Sequence, residues 1–147
     1  MSTSMANQIS RREKLFLDTA FAIALSSVTD AHHARALDLA VESQTQQARL
    51  ITTQAVVLEI GNSLSKLRFR EAAVRLLESM EQDPNVEVVP LSEALYAQGL
   101  RLFGARPDKE WSLTDCISFV VMEERGITRA LTADHHFAQA GFEALLP

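Results

Sequence analysis

Four acidic residues carry the chemistry that this sequence could do: Asp18, Glu59, Asp115 and Asp134. Carboxylates gathered in one place repel one another and hold their protons more tightly unless a cation compensates. An all-oxygen donor set suits a hard divalent ion, Mg²⁺ or Mn²⁺, rather than zinc or iron. The chemistry open to such a cluster is therefore that of held divalent cations. Taken singly, each acid has a plainer account. Asp18 can cap a helix at Thr19, Asp134 one at His135, and Asp115 completes a capping box with Ser112 three residues earlier. Glu59 can pair with Lys66 on a solvated helix face. Taken together the plain accounts weaken, because caps should scatter over both edges of a sheet and these four map to one.

That mapping depends on the elements that carry the acids. Lys14–Leu17 is a short apolar run consistent with a buried parallel strand, and Asp18 follows it. Thr19 to Ser27 continues as a small helix, and a second helix starts at Asp30. Arg49 to Thr52 is the next strand, and Thr52 or Thr53 caps the helix after it. Val56, Ile60, Leu64 and Leu67 make the apolar stripe of that helix, with Glu59, Asn62, Ser63 and Lys66 on its polar flank. Arg70 to Gln82 is amphipathic through Ala73, Val74, Leu77 and Met80. Val86–Val89 is a third strand, and Leu91 to Phe103 a helix with Leu95, Leu102 and Phe103 inward. Cys116 to Met122 is apolar almost all round, so the helix opened by Ser112-Leu113-Thr114-Asp115 should be buried on most sides and should end at Gly126. Ile127 to Thr132 is a fourth strand with Asp134 just beyond it; a short helix from His135 and a strand at 142–146 finish the chain. Alternating strands and helices predict an α/β fold with a parallel sheet covered on both faces. Sites in such sheets lie beyond the carboxyl ends of the strands, where strand order reverses.

The remaining residues narrow the reading. The 147 residues fit one domain, with residues 1–13 read as a disordered tail and 14–147 as the folded unit. A net charge of −5 argues against holding nucleic acid by a broad basic surface, though not against an acidic site neutralised by cations. The single cysteine, Cys116, excludes a disulfide within the chain and points to a reducing, cytoplasmic setting. Arg11-Arg12 before an apolar run loosely resembles a twin-arginine export signal, but Asp18 interrupts that run and residues 15–18 read better as a strand. No apolar run is long enough to span a bilayer. His32-His33 and His135-His136 are adjacent pairs that chelate one ion poorly, and contact of His135 or His136 with a substrate phosphate is the better reading. Lys66, Arg68, Arg70 and Arg75 read equally as a phosphate-tracking stripe or a solvated helix face. There is no GxGxxG, Walker A or GxSxG motif. A receiver-type phosphorylation domain would need an acid pair after the first strand and a lysine after the last, and neither is present.

The run from Leu15 to Leu145 resembles a PIN domain, and in particular the single-domain VapC-type toxin ribonucleases. The resemblance is carried by Phe16-Leu17-Asp18-Thr19, by Glu59, by Trp111-Ser112-Leu113-Thr114-Asp115, by Leu131-Thr132-Ala133-Asp134-His135-His136-Phe137 and by Gly141-Phe142. Ala20 stands where that family often has a polar side chain. The resemblance implies a three-layer fold, a five-stranded parallel sheet between helices, and metal-dependent hydrolysis of RNA. It implies one or two Mg²⁺ or Mn²⁺ ions, held directly by Asp18 and Asp115 and directly or through water by Glu59 and Asp134. Thr19, Asn62, Ser112, Thr114 and His135 are then expected to position substrate or water, and Asp108 matches an extra loop acid of some members. A homodimer and a small antitoxin that blocks the acidic groove are the implied partners. The alternatives left open are a PIN nuclease of RNA processing that is not a toxin, and a catalytically silent binding module.

Overall fold

The computed structural model describes residues 8–147. Strands β1 (Lys14–Leu17), β2 (Arg49–Thr53), β3 (Val86–Val89), β4 (Arg129–Leu131) and β5 (Glu143–Ala144) form one sheet in the order β3-β2-β1-β4-β5, every neighbouring pair parallel. Successive strand residues point to opposite faces. Leu15, Phe16 and Leu17 are all buried, so helices cover both faces of the central strand. This is the five-stranded parallel sheet expected from the alternation of elements.

Helices α1 (Thr19–Ser26) and α2 (His33–Thr45) join β1 to β2, and α3 (Gln54–Ser63) and α4 (Leu67–Gln82) join β2 to β3. From β3 the chain passes through α5 (Glu93–Ala105) and α6 (Leu113–Arg125) back across the sheet to β4, on the other side of β1. Strand order therefore reverses between β1 and β4. In parallel α/β sheets, sites lie at such a switch point, beyond the carboxyl ends of the strands. The short α7 (His135–Gln139) links β4 to β5.

An aromatic cluster fixes the elements around that switch point. Phe119 of α6 packs edge-on against Trp111 (5.1 Å between ring centres) and against Phe137 of α7 (5.0 Å), and Phe137 also meets Phe16 of β1 at 6.2 Å. Phe16 lies two residues before Asp18, Phe119 one turn after Asp115, and Phe137 three residues after Asp134. The rings that fill the core thus set the relative positions of three acids. Helix α6 is buried as its composition predicts and ends at Gly126, whose φ of 67° is the left-handed conformation that glycine adopts without strain.

Several expectations change. The tail expected over residues 1–13 does not extend that far: Ile9 is fully buried, its amide donates to Glu42 Oε2 (2.6 Å), and the Arg12 amide donates to the Gln46 carbonyl (2.8 Å). The part of that expectation covering residues 1–7 lies outside the described residues. Helix α2 starts at His33, because the Asp30 carboxylate accepts from the His32 amide and closes a turn first. Leu67 is 91% exposed rather than inward, since α3 ends at Ser63 and Leu67 opens a new helix. Val74 is exposed too, and so is Phe103, which falls on the outer face of α5. Among the described residues no helix is long and apolar enough to cross a membrane.

Candidate active site

Parallel pairing of β1 with β4 sets Leu17 opposite Leu131, which brings the next residues, Asp18 and Thr132, side by side. The Asp18 amide donates to the Leu131 carbonyl, and the Thr132 hydroxyl donates to Asp18 Oδ2 at 2.8 Å. The same hydroxyl accepts from the Asp134 amide at 3.0 Å. Thr132 is fully buried and so links the acid after β1 to the acid after β4. Asp18 occupies the position before α1, but its carboxylate makes no capping bond. On the other flank Thr53 caps α3 through the Val56 amide. One turn further Glu59 comes within reach of Thr19, whose hydroxyl donates to Glu59 Oε1.

Asp115 arrives from α6. Its amide donates to Ser112 Oγ (3.0 Å) while its Oδ2 accepts from the Ser112 amide (3.1 Å), the reciprocal capping box that the sequence suggests. Asp134 caps α7 through the His136 amide (2.9 Å). For Asp115 and Asp134 the plain and the chemical readings therefore coexist, whereas the Asp18 carboxylate caps no helix and Glu59 is held by Thr19.

Burial raises the Asp18 pKa from 3.8 to about 6, and the charges of Asp115 and Glu59 add to the rise, against the Thr132 hydroxyl and the Thr19 amide. Asp115 is raised as well, first by burial and then by Asp134, against the Ser112 amide and His136. Asp18 thus feels Asp115 and Glu59, and Asp115 feels Asp134. Carboxylates in mutual repulsion at a buried edge form a donor set that a hard cation fits, since a cation offsets both the burial and the repulsion.

The other candidates divide. Thr19 is buried and holds Glu59. Asn62 and Thr114 line, with Glu59 and Tyr96, a cleft of about 280 Å³ between α3, α5 and α6. Ser112 is occupied as a cap. His135 stands at the exposed rim of the cluster: its side chain is 75% exposed, Nδ1 lies 3.7 Å from Asp134 Oδ1, and the ligand atoms of Asp134, His135 and His136 all lie within 4.8 Å of one another. Its neighbour His136 joins the cluster, with Nδ1 at 3.0 Å from Asp115 Oδ2 and 3.3 Å from Asp134 Oδ1. Asp108 is held elsewhere, by both guanidinium contacts of Arg106 at 3.0 Å, which keep its carboxyl well below the usual range. Arg70 and Arg75 bond within α4 and its approach, to the Ser65 carbonyl and Glu71, which fits a solvated face. Burial, with Asp115 beside it, pushes the Cys116 thiol up, as suits a packing residue. An apolar cavity of about 470 Å³ between α5, α6 and Phe142 contains none of the four acids.

A parallel α/β sheet between helices, with acids gathered at its switch point, is the architecture of a nuclease, and the chain belongs to the PIN domain family, whose model matches residues 15–143. It is similar to the 23S rRNA-specific endonuclease VapC20 of Mycobacterium tuberculosis, with 29% identity over 133 residues, 90% of this chain and 98% of the relative. The crystal structure of that organism's VapC20, described as a sarcin-ricin loop cleaving toxin, superposes with a TM-score of 0.78 at 27% identity. It covers 90% of this chain and 99% of that one.

Proposed function

We propose that this chain is an endoribonuclease of the VapC type, the toxin of a toxin–antitoxin pair, dependent on Mg²⁺ or Mn²⁺. The observation that carries the reading is the meeting of Asp18, Glu59, Asp115 and Asp134 at the sheet's switch point, in a chain similar along nearly its whole length to an RNA-cleaving toxin. Asp18 and Asp115 are the direct ligands of one or two ions, and Glu59 and Asp134 bind directly or through water. A divalent cation held there supplies an activated water and offsets the charge that builds on the phosphate. The protein's own part is positioning. Thr132 orients Asp18, Thr19 holds Glu59, and the capping box of Ser112 fixes Asp115. The cleft beside Glu59, with Asn62, Thr114 and Tyr96, is open for a nucleotide flanking the scissile phosphate. A chain of net charge −5 then binds RNA locally rather than along a basic face. The cytoplasm, a homodimer and a small antitoxin complete the reading.

The test is cleavage of a mixed pool of single-stranded and structured RNA, including a sarcin–ricin stem-loop, with Mg²⁺, with Mn²⁺ and with EDTA, alongside Asp115→Asn. Cutting that needs metal and is lost in the variant is expected. Cutting that persists in EDTA, or at full rate in Asp115→Asn, would remove the proposed mechanism.

A further inference from the structure

We propose that His136 is a positioning residue of the acid cluster: its Nδ1–H holds one oxygen of Asp115, its amide holds one oxygen of Asp134, and the second oxygen of each is left for a divalent cation. This rests on the divalent-ion reading above.

His136 is the second residue of α7, with its side chain 18% exposed. Its amide donates to Asp134 Oδ1, and its Nδ1 lies between that oxygen (3.3 Å) and Asp115 Oδ2 (3.0 Å). Asp115 Oδ2 already accepts from the Ser112 amide. Facing two acceptors, Nδ1 carries the proton and the ring donates. Among the described residues, no other side chain donates to Asp115 or Asp134 within 3.5 Å. Asp115 Oδ1 and Asp134 Oδ2 receive no donor from the described residues.

The arrangement repeats what Thr132 does for Asp18, where a buried side-chain donor takes Oδ2. The result is a carboxylate whose rotation is fixed and whose remaining oxygen is committed in one direction. His136 also joins two elements that are separate in sequence, the start of α6 and the start of α7. An imidazole whose Nδ1 proton is spent on carboxylates does not use that nitrogen as a ligand, and hard ions prefer oxygen.

The experiment is calorimetric titration of Mn²⁺ into the metal-free full chain, without RNA, for the wild type and for His136→Ala, His136→Asn and His136→Gln. Asparagine sets an amide N–H near the place of Nδ1, whereas glutamine sets one near the place of Nε2. Affinity is expected to fall roughly 10–100-fold in the alanine and glutamine variants, the usual effect of removing a residue that orients a ligand, and to be largely restored by asparagine. Melting in EDTA establishes that each variant folds; if alanine does not, the asparagine–glutamine comparison carries the test. Unchanged Mn²⁺ affinity in His136→Ala, or rescue by glutamine and not asparagine, overturns the proposal. A wild-type chain that binds no Mn²⁺ overturns the divalent-ion reading itself, a result distinct from either.

Discussion

At the scale of single residues, Asp18 shows what the cluster costs the fold. It is 4% exposed, and its folded pKa of about 6 stands above the ordinary 3.8. The folded chain therefore keeps a proton that the unfolded chain releases between about pH 4 and 6, and the metal-free protein loses stability as pH rises through that window. At roughly 1.4 kcal/mol per pKa unit the loss is about 3 kcal/mol. Asp18→Asn removes the titration and keeps an oxygen for the Thr132 hydroxyl. In denaturant melts in EDTA, its stability relative to wild type should therefore climb across that window and be higher by up to about 3 kcal/mol at pH 7, while nuclease activity is lost. A relative stability that stays flat with pH would show that Asp18 does not carry the strain. Asp18 and Asp134 were legible because acids that follow strands are conspicuous, Asp115 because it opens an apolar helix, and Glu59 because it stands on the polar flank of an amphipathic one. Thr132 was not, and the His135-His136 pair was legible only as a pair. Thr132 reads as an ordinary β-branched strand residue, and its role depends on the register of β1 against β4. The choice between His135 and His136 depends on how a five-residue helix is turned, which the buried Phe137 settles only in three dimensions.

At the scale of elements, Asp115 is only as well placed as α6, and α6 is placed by α5. Gly99 of α5 faces Ile117 so closely that a Cβ there would stand 2.5 Å from Ile117 Cγ1. The glycine is needed for close approach, since its helix would otherwise favour alanine. Gly99→Ala should push α6 outward and cost about 1–3 kcal/mol, the usual range for overpacking, and nuclease activity should fall further than the loss of folded protein explains. Melting curves set beside rates measured well below the melting temperature separate the two effects; a variant as stable as wild type would mean that Ile117 simply turns aside. The order and type of the elements were readable because buried strands and amphipathic helices have different periods. Their ends were not. Leu67 continues the stripe of Val56, Ile60 and Leu64 in sequence, yet the helix stops at Ser63 and the pattern ends with it. Ile9 looked like part of a polar tail because one apolar residue among polar ones has no period, and only its bond to Glu42 across the fold reveals the packing.

At the scale of the whole molecule, the apolar surface that the monomer leaves uncovered is organised. Tyr96, Leu100 and Phe103 are 46%, 41% and 49% exposed and stand at i, i+4 and i+7 on α5, one continuous stripe. Leu58 on α3, 62% exposed, lies beside Tyr96 at the mouth of the cleft that holds Glu59. The expectation that Phe103 turns inward failed for the same reason that the stripe is informative: its helical spacing was correctly apolar, but the face looks away from the chain's own core. Exposed apolar stripes mark association sites, and we predict that the proposed homodimer is a symmetric pair of copies meeting on α5. Leu100→Glu adds a charge to the centre of the stripe without touching the core. Light scattering should then report twice the 16.3 kDa chain mass for the wild type and 16.3 kDa for the variant, with the monomer's melting curve changed by less than about 0.5 kcal/mol, as for ordinary surface substitutions. A variant that stays dimeric would move the interface off α5, and a monomeric wild type would leave the stripe to the antitoxin, which a titration with that partner's peptide would then detect.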